Sequence, residues 1–173
     1  MLASAISNLD LSVSLRLHKL NSGFLTRSFA VFSALGSERI FVPIGLLVAV
    51  WAIAEQDFVA GFVLVAATLL TRQSIYVLKA LTSRSRPAVA RLESSSFPSG
   101  HTMAAVAVYG TAADVIGRFA PAAQPLVFLA LLLGALIGLS RVALGFHWVT
   151  DVMVGFGIGL LILAAASAGL SHL

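Results

Sequence analysis

Residues 119–140 read FAPAAQPLVFLALLLGALIGLS and residues 152–170 read VMVGFGIGLLILAAASAGL, and neither stretch contains a charged residue. About 20 helical residues cross a bilayer, so each stretch is long enough to span one. Two shorter apolar stretches, at 40–54 and 58–70, need flanking residues to reach that length. Only 10% of the chain is charged, whereas soluble proteins average about a quarter. The sequence therefore predicts an all-α integral membrane protein.

The spacing of these stretches predicts about five transmembrane helices, at residues 39–54, 57–81, 100–118, 122–143 and 148–170. We treat residues 1–173 as a single membrane-embedded domain with a transmembrane core at 39–170. Residues 9–17 alternate apolar and polar side chains, but an isolated strand at a bilayer would leave its backbone unpaired. Residues 1–38 are therefore predicted to form an interfacial segment with an amphipathic helix, and 24–36 a re-entrant or interfacial helix. Five spans would place the two termini on opposite sides of the membrane.

Composition also excludes several classes of function. The chain has no cysteine, which rules out disulfides and thiolate metal sites. Its formal net charge is +4, but the cations lie beside the spans and in one loop rather than in a basic arm. We interpret them as contacts to phosphate groups and expect no nucleic-acid partner.

Three polar clusters are predicted to open on the same membrane face, and the first is KALTSRSRP at 79–87. A planar guanidinium such as Arg86 can hold two phosphate oxygens, and Pro87 stiffens the backbone beside it. Lys79 and Arg86 could instead complement a helix end or contact lipid headgroups. The cluster by itself leaves both interpretations open.

The second cluster is SSSFPSGHT at 94–102. Ser99 and Gly100 occupy the N-cap region of the next predicted helix, where free backbone N–H groups can bind an anion. An ordinary capped helix would show the same SG pair. His101 in the first turn adds a group that can donate a proton to a bound anion.

The third cluster is SRVALGFHWVTD at 140–151. His147 and Asp151 are four residues apart, so on a helix they share one face, and the carboxylate could fix the imidazole tautomer. A headgroup contact and a helix cap are the alternatives for these two residues. Lysine and arginine residues accompany both histidines and would repel a metal cation, so we expect no metal ion. The chemistry that fits several cations and two histidines is phosphoryl transfer through a phosphohistidine.

Together the clusters resemble the three signature motifs of the type-2 phosphatidic acid phosphatase superfamily. The matching residues are Lys79, Arg86-Pro87, Pro98-Ser99-Gly100-His101, Ser140-Arg141, His147 and Asp151. The resemblance implies a helical membrane core, no cofactor, and a phosphate substrate carried by a lipid.

By the same resemblance, His147 is the nucleophile, Asp151 orients it, and His101 protonates the leaving oxygen. The phosphate oxygens would be bound by Lys79, Arg86, Ser99, Gly100 and Arg141. Many bacterial members have six spans, so the five predicted here leave one flank less covered, which lipid or a second copy of the chain would fill.

The substrate and its leaflet stay open at this point. Candidate lipids are polyprenyl pyrophosphate, phosphatidylglycerol phosphate and phosphatidic acid. The resemblance favours a site on the outer side of the bacterial cytoplasmic membrane, whereas the positive-inside rule favours the cytoplasmic side and a lipid such as polyprenyl-phosphoribose phosphate. A phosphotransferase and a non-enzymatic lipid carrier are the rival functions, and the related vanadium haloperoxidases fit the hydrophobicity poorly.

Overall fold

A computed structural model of the protein describes residues 10–14, 16–17, 22–87 and 94–171, and these residues contain helices and no strand. An N-terminal segment is helical at residues 10–14 and 16–17. In chain order the following helices are α1 (Gly23–Leu35), α2 (Glu38–Ala54), α3 (Phe58–Leu81), α4, α5 (Leu126–Ala143) and α6 (Val149–Ser171). Helix α4 consists of α-helical Gly100–Ala104, a π-helical stretch Ala105–Tyr109, and α-helical Gly110–Phe119. A 3₁₀ turn, Pro121–Ala123, precedes α5.

The all-α membrane architecture predicted from the sequence is confirmed. Three helical stretches in the described residues are long and apolar enough to cross a membrane: Phe58–Leu81, Pro121–Ala143 and Val149–Ser171. Helices α1 and α2 meet at a 47° bend and add a fourth if the pair is one broken span. The predicted total of five spans stays a prediction, because helix α4, whose α-helical run is interrupted by the π-helical stretch, is not among these apolar stretches. Its overall bounds nevertheless agree with the predicted helix at 100–118.

Local sequence explains where the helices begin and end. The Asp57 carboxylate accepts a hydrogen bond from the Ala60 N–H at 2.9 Å and caps α3. Helix α3 ends at Leu81, because the backbone of the next residue, Thr82, is extended. The first polar cluster begins in the last turn of α3 and continues into the loop that follows. Gly145 has a φ of 73° in the turn after α5, a left-handed conformation that suits glycine. This turn reverses the chain into α6.

Many of the large apolar side chains lie on the outside of the bundle. Phe62 and Leu161 are each 71% exposed, although Phe41 and Leu64 are buried. The core between the helices is built mostly from small residues such as Ala49, Ala52 and Ala60, which are at most 1% exposed. Small residues allow helices to approach closely in membranes, where lipid covers the larger ones. This distribution is the one expected of a bundle surrounded by acyl chains.

Candidate active site

Most of the predicted site residues line one cavity of about 210 Å³. The cavity lies where the ends of α3 and α5, the start of α4 and the turn before α6 meet. Its polar lining combines three cations with two imidazoles. The predicted residues in its wall are Lys79, Arg86, Gly100, His101, Arg141 and His147, and Gly36, Glu38, Phe41 and Ile75 complete it.

His147 and Asp151 form the most buried part of the site, with exposed fractions of 2% and 0%. The His147 Nδ1 atom lies 3.5 Å from Asp151 Oδ2, and among the described residues it makes no hydrogen bond of good geometry. Asp151 Oδ2 also accepts a hydrogen bond from the Trp148 N–H at 2.9 Å. On the other side of the ring, Nε2 lies 3.4 Å from Arg86 Nη1. The imidazole is therefore held between a carboxylate and a guanidinium, with Nε2 toward the cations.

Burial lowers the pKa of His147 to about 4, because a charged imidazolium is poorly solvated inside the protein. The neighbouring Asp151 carboxylate acts in the opposite direction, and Arg141 and Arg86 lower the pKa further. His147 is consequently neutral near pH 7, and a neutral imidazole has a lone pair available for attack.

The loop before α4 holds two of the cations in place. Arg86 donates hydrogen bonds to the Ser94 carbonyl at 2.9 Å, the Phe146 carbonyl at 2.8 Å and the Ser95 carbonyl at 3.2 Å. Lys79 donates to the Ser95 carbonyl at 2.8 Å. These acceptors are neutral, and neither cation is paired with a carboxylate in the described part of the chain. Their charge is therefore available to an anion in the cavity.

Arg141 is 7% exposed and is positioned by helix α1. Its Nη1 atom donates to the Ser33 hydroxyl at 2.5 Å, and its guanidinium lies 4.4 Å from the centre of the Phe146 ring. The Arg141 Nε atom is buried and has no hydrogen-bond partner among the described residues. An unpaired buried donor costs free energy unless a ligand satisfies it. Together with Lys79 and Arg86, Arg141 therefore makes the cavity suited to binding an anion.

The start of α4 places His101 and Gly100 in the cavity wall and Ser99 behind it. Ser99 is fully buried. Its hydroxyl lies 2.9 Å from the Thr102 hydroxyl, and its N–H donates to the Asp151 carbonyl at 2.9 Å. Ser99 and Asp151 do not line the cavity. Both are adjacent to residues that do, so Ser99 would reach a phosphate only through its neighbours or after a side-chain rotation.

Several residues at the site were not predicted from the sequence. Gly36, in the bend between α1 and α2, lies against His101; a Cβ atom there would come within 2.8 Å of the His101 Cβ. Glu38 lines the cavity while its carboxylate accepts hydrogen bonds from Arg72 at 2.5 Å and Tyr76 at 2.8 Å. No motif in residues 23–38 indicates proximity to the three clusters. The apolar character of 24–36 suggested only a membrane-surface helix.

A cavity with buried cations and two imidazoles in a helical membrane protein is suited to phosphate chemistry at a membrane. Comparison with known proteins agrees with this interpretation. Residues 58–171 match the family model described as the PAP2 superfamily. Phosphatidylglycerophosphatase B of Bacillus subtilis is 30% identical over 166 residues, which cover 92% of this chain and 82% of that protein.

Solved structures show the same relationship. The crystal structure of a transmembrane PAP2-type phosphatidylglycerolphosphate phosphatase from Bacillus subtilis superposes with a TM-score of 0.90 at 26% identity, covering 98% of this chain and 88% of that one. The structure of Aquifex aeolicus LpxE superposes with a TM-score of 0.72 at 24% identity, covering 91% and 94%; at that identity it supports the fold alone. The chain belongs to the PAP2 superfamily, the type-2 phosphatidic acid phosphatases that its motifs resemble, and it is a phosphatase.

Proposed function

We propose that this phosphatase hydrolyses the phosphomonoester or pyrophosphate of a membrane lipid through a phosphohistidine on His147, without a metal ion. One observation carries the proposal. The His147 ring has Arg86 3.4 Å from Nε2 and Asp151 3.5 Å from Nδ1, and it shares a cavity with His101 and two further cations. A nucleophile, a proton donor and charge-stabilising groups thus surround one space large enough for a phosphate.

In the first step, Nε2 of His147 attacks phosphorus and the bond from phosphorus to the lipid oxygen breaks. His101 donates a proton to that oxygen, so the lipid leaves as an alcohol or, from a pyrophosphate, as a monophosphate. Asp151 stabilises the positive charge that the phosphorylated imidazole carries. Lys79, Arg86 and Arg141 stabilise the negative charge on the equatorial phosphate oxygens.

In the second step, water attacks phosphorus, and the bond from phosphorus to Nε2 breaks. His101, now neutral, accepts the proton of the water, and inorganic phosphate leaves. A bound phosphate balances part of the charge of the three cations, which favours the protonated form of His101 when substrate occupies the cavity. Both proton transfers therefore use the same imidazole.

The substrate is proposed to be a lipid because the bundle that encloses the cavity lies in the bilayer. The outward phenylalanine and leucine side chains keep the bundle in the bilayer, so a lipid can present its phosphate while its chains stay among acyl tails. We favour phosphatidylglycerol phosphate because the relatives from Bacillus subtilis are named for it. Phosphatidic acid and polyprenyl pyrophosphate are the comparison substrates. We further propose the bacterial cytoplasmic membrane as the location, with the site on its outer side and a second copy of the chain as a partner.

The test is phosphate release by the detergent-purified chain from these three lipids, with and without a metal chelator. We expect release in both conditions, and no release from His147→Ala at an unchanged melting temperature. The variant Asp57→Asn, which alters a helix cap remote from the cavity, is the matched control and should retain full turnover.

Three results would contradict the proposal in different ways. Turnover retained in His147→Ala would rule out the phosphohistidine. Loss of activity with the chelator, restored by a metal, would rule out metal independence. Phosphate appearing on an added lipid or sugar alcohol instead of in solution would identify a phosphotransferase.

A further inference from the structure

The N-terminal segment contributes a buried acid that the three signature motifs do not contain. We propose that Asp10 is a positioning residue for the His147–Asp151 pair, and that the N-terminal segment is therefore part of the active site. The inference rests on the proposed function, because it assigns Asp10 a part in phosphoryl transfer at His147.

Asp10 is 1% exposed, and both of its carboxylate oxygens are engaged at the start of α6. Oδ1 accepts a hydrogen bond from the Thr150 N–H at 3.0 Å. Oδ2 accepts one from the Thr150 hydroxyl at 2.7 Å and one from Arg84 Nη2 at 2.5 Å. Thr150 directly precedes Asp151. The backbone that carries the catalytic carboxylate is therefore fixed by a residue about 140 positions away in the chain.

Arg84 connects the two carboxylates. While Nη2 binds Asp10, Nη1 donates to Asp151 Oδ1 at 2.6 Å and to the Thr150 hydroxyl at 2.7 Å. With Oδ1 engaged by Arg84, Asp151 keeps Oδ2 for the Trp148 N–H and His147. Arg84 thus orients the Asp151 carboxylate, and Asp10 orients Arg84.

The charge of Asp10 also affects how well Asp151 can stabilise a positive His147. One guanidinium shared by two carboxylates leaves a net negative charge, so Asp151 can still stabilise a positive His147. Without the charge of Asp10, Arg84 would neutralise Asp151 and leave the imidazole with less support. The remaining charged or titratable side chains at the cavity are Lys79, Arg86, His101 and Arg141, together with Glu38. The Glu38 carboxylate is already engaged by Arg72 and Tyr76.

The experiment compares Asp10→Asn with Asp57→Asn in the full-length protein, using phosphatidylglycerol phosphate as substrate. Both substitutions remove a carboxylate that pairs with an arginine and accepts a backbone hydrogen bond. For Asp10→Asn we expect kcat to fall about tenfold to a hundredfold with KM within about twofold, as for a displaced catalytic group. The acid limb of kcat/KM should also move to lower pH, because His147 loses part of the field that favours its charged form. Asp57→Asn should change neither.

A purely structural role for Asp10 would lower the melting temperature and leave kcat and the pH profile of the folded enzyme unchanged; this result would overturn the inference. Asp10→Glu, which keeps the charge, should recover part of kcat, and no recovery would also count against the inference.

If Asp10→Asn does not fold, Arg84→Lys takes its place in the experiment. The same fall in kcat is expected, and a normal kcat would overturn the inference. Loss of turnover in His147→Ala together with normal Asp10→Asn would leave the proposed function standing and remove only the role of Asp10.

Discussion

His147 illustrates how the surroundings of one side chain set its reactivity. An exposed imidazole has a pKa of about 6.5 and is partly protonated at neutral pH. At 2% exposure, and with Arg86 beside Nε2, the pKa of His147 is about 4. The ring is therefore neutral across the pH range of a cell, as the proposed nucleophile has to be. In the proposed mechanism Asp151 stabilises the positive charge that forms only after attack.

We predict that protonation of His147 lowers kcat/KM of the wild type only below about pH 5. The proposed nucleophile stays neutral down to its pKa of about 4. Asp151→Asn should move this limb to lower pH and Arg86→Gln to higher pH, since the two partners act on the imidazole in opposite directions. The measurement is kcat/KM from about pH 3.5 to about pH 8, with activity rechecked after return to neutral pH.

The substrate phosphate also titrates, near pH 6, but that limb is common to the three proteins and serves as the internal reference. Identical acid limbs in all three proteins would contradict the assignment of this limb to His147.

The stability of the fold depends on the same protonation. The unfolded chain protonates His147 at about pH 6.5, whereas the folded protein does so only at about pH 4. The contribution of a neutral His147 to stability is therefore complete above about pH 6.5 and is lost as the pH falls toward 4.

Helix α6 acts as the platform on which the start of α4 rests. A Cβ atom at Gly155 would lie 2.5 Å from the Ser99 carbonyl oxygen, and the Ser99 N–H donates to the Asp151 carbonyl one turn earlier in α6. The glycine therefore allows the end of the loop before α4 to lie directly on the helix that carries Asp151, next to His101 in the first turn of α4. The two motifs are joined by backbone atoms.

We predict that Gly155→Ala lowers both activity and stability, because backbone atoms at Ser99 cannot move as easily as a side chain. Overpacking of this kind costs about 1–3 kcal/mol, and a shift of Ser99 and of the first turn of α4, which carries His101, should lower kcat about tenfold or more. Melting temperature and kcat are measured on purified protein.

Gly157→Ala is the matched control in the same helix. Nothing in the described residues lies within 4 Å of a Cβ atom at Gly157, and alanine favours a helix over glycine by about 1 kcal/mol. We expect its stability to be equal or higher and its kcat unchanged. A Gly155→Ala variant that behaves like Gly157→Ala would show that the contact with Ser99 does not position the loop.

Across the whole molecule, the proposed active site and a cluster of polar contacts around Arg118 lie at opposite ends of the bundle. Arg118, at the end of α4, donates to Asp57 Oδ2 at 3.2 Å and to the Leu170 carbonyl at 2.7 Å. It thereby joins the end of α4 to the start of α3 and the end of α6. Asp57 and Lys79 are separated along α3 by about 33 Å at about 1.5 Å per residue. This cluster therefore lies far from the cavity.

We predict that Arg118→Gln reduces stability without altering catalysis. The Arg118 and Asp57 side chains are 31% and 21% exposed, so solvent weakens the ion pair, and we expect a loss of about 1–2 kcal/mol in total. The melting temperature should fall by a few degrees while kcat and KM stay unchanged. A large loss of kcat in the folded variant would show that the two ends of the bundle are coupled.

The amino-acid sequence by itself determined the class of fold and most of the cavity wall. Uncharged stretches such as 152–170 can only be accommodated as helices in a bilayer, because every backbone group must be hydrogen-bonded within the segment. The spacing from His147 to Asp151 and the Arg86-Pro87 pair could be recognised as candidates for phosphate chemistry because their residues are close in the sequence. Patterns of this kind can be identified without knowing how the chain folds.

Only the tertiary structure decided which distant residues support that cavity. Three contacts join residues that are far apart in the sequence. They are the hydrogen bond from Arg141 to Ser33, the packing of Gly36 against His101, and the hydrogen bonds from Thr150 and Arg84 to Asp10. A lone serine or aspartate outside the three polar clusters has no periodicity that identifies its partner. Helix packing sets these contacts, since small residues let the helices approach until such side chains meet.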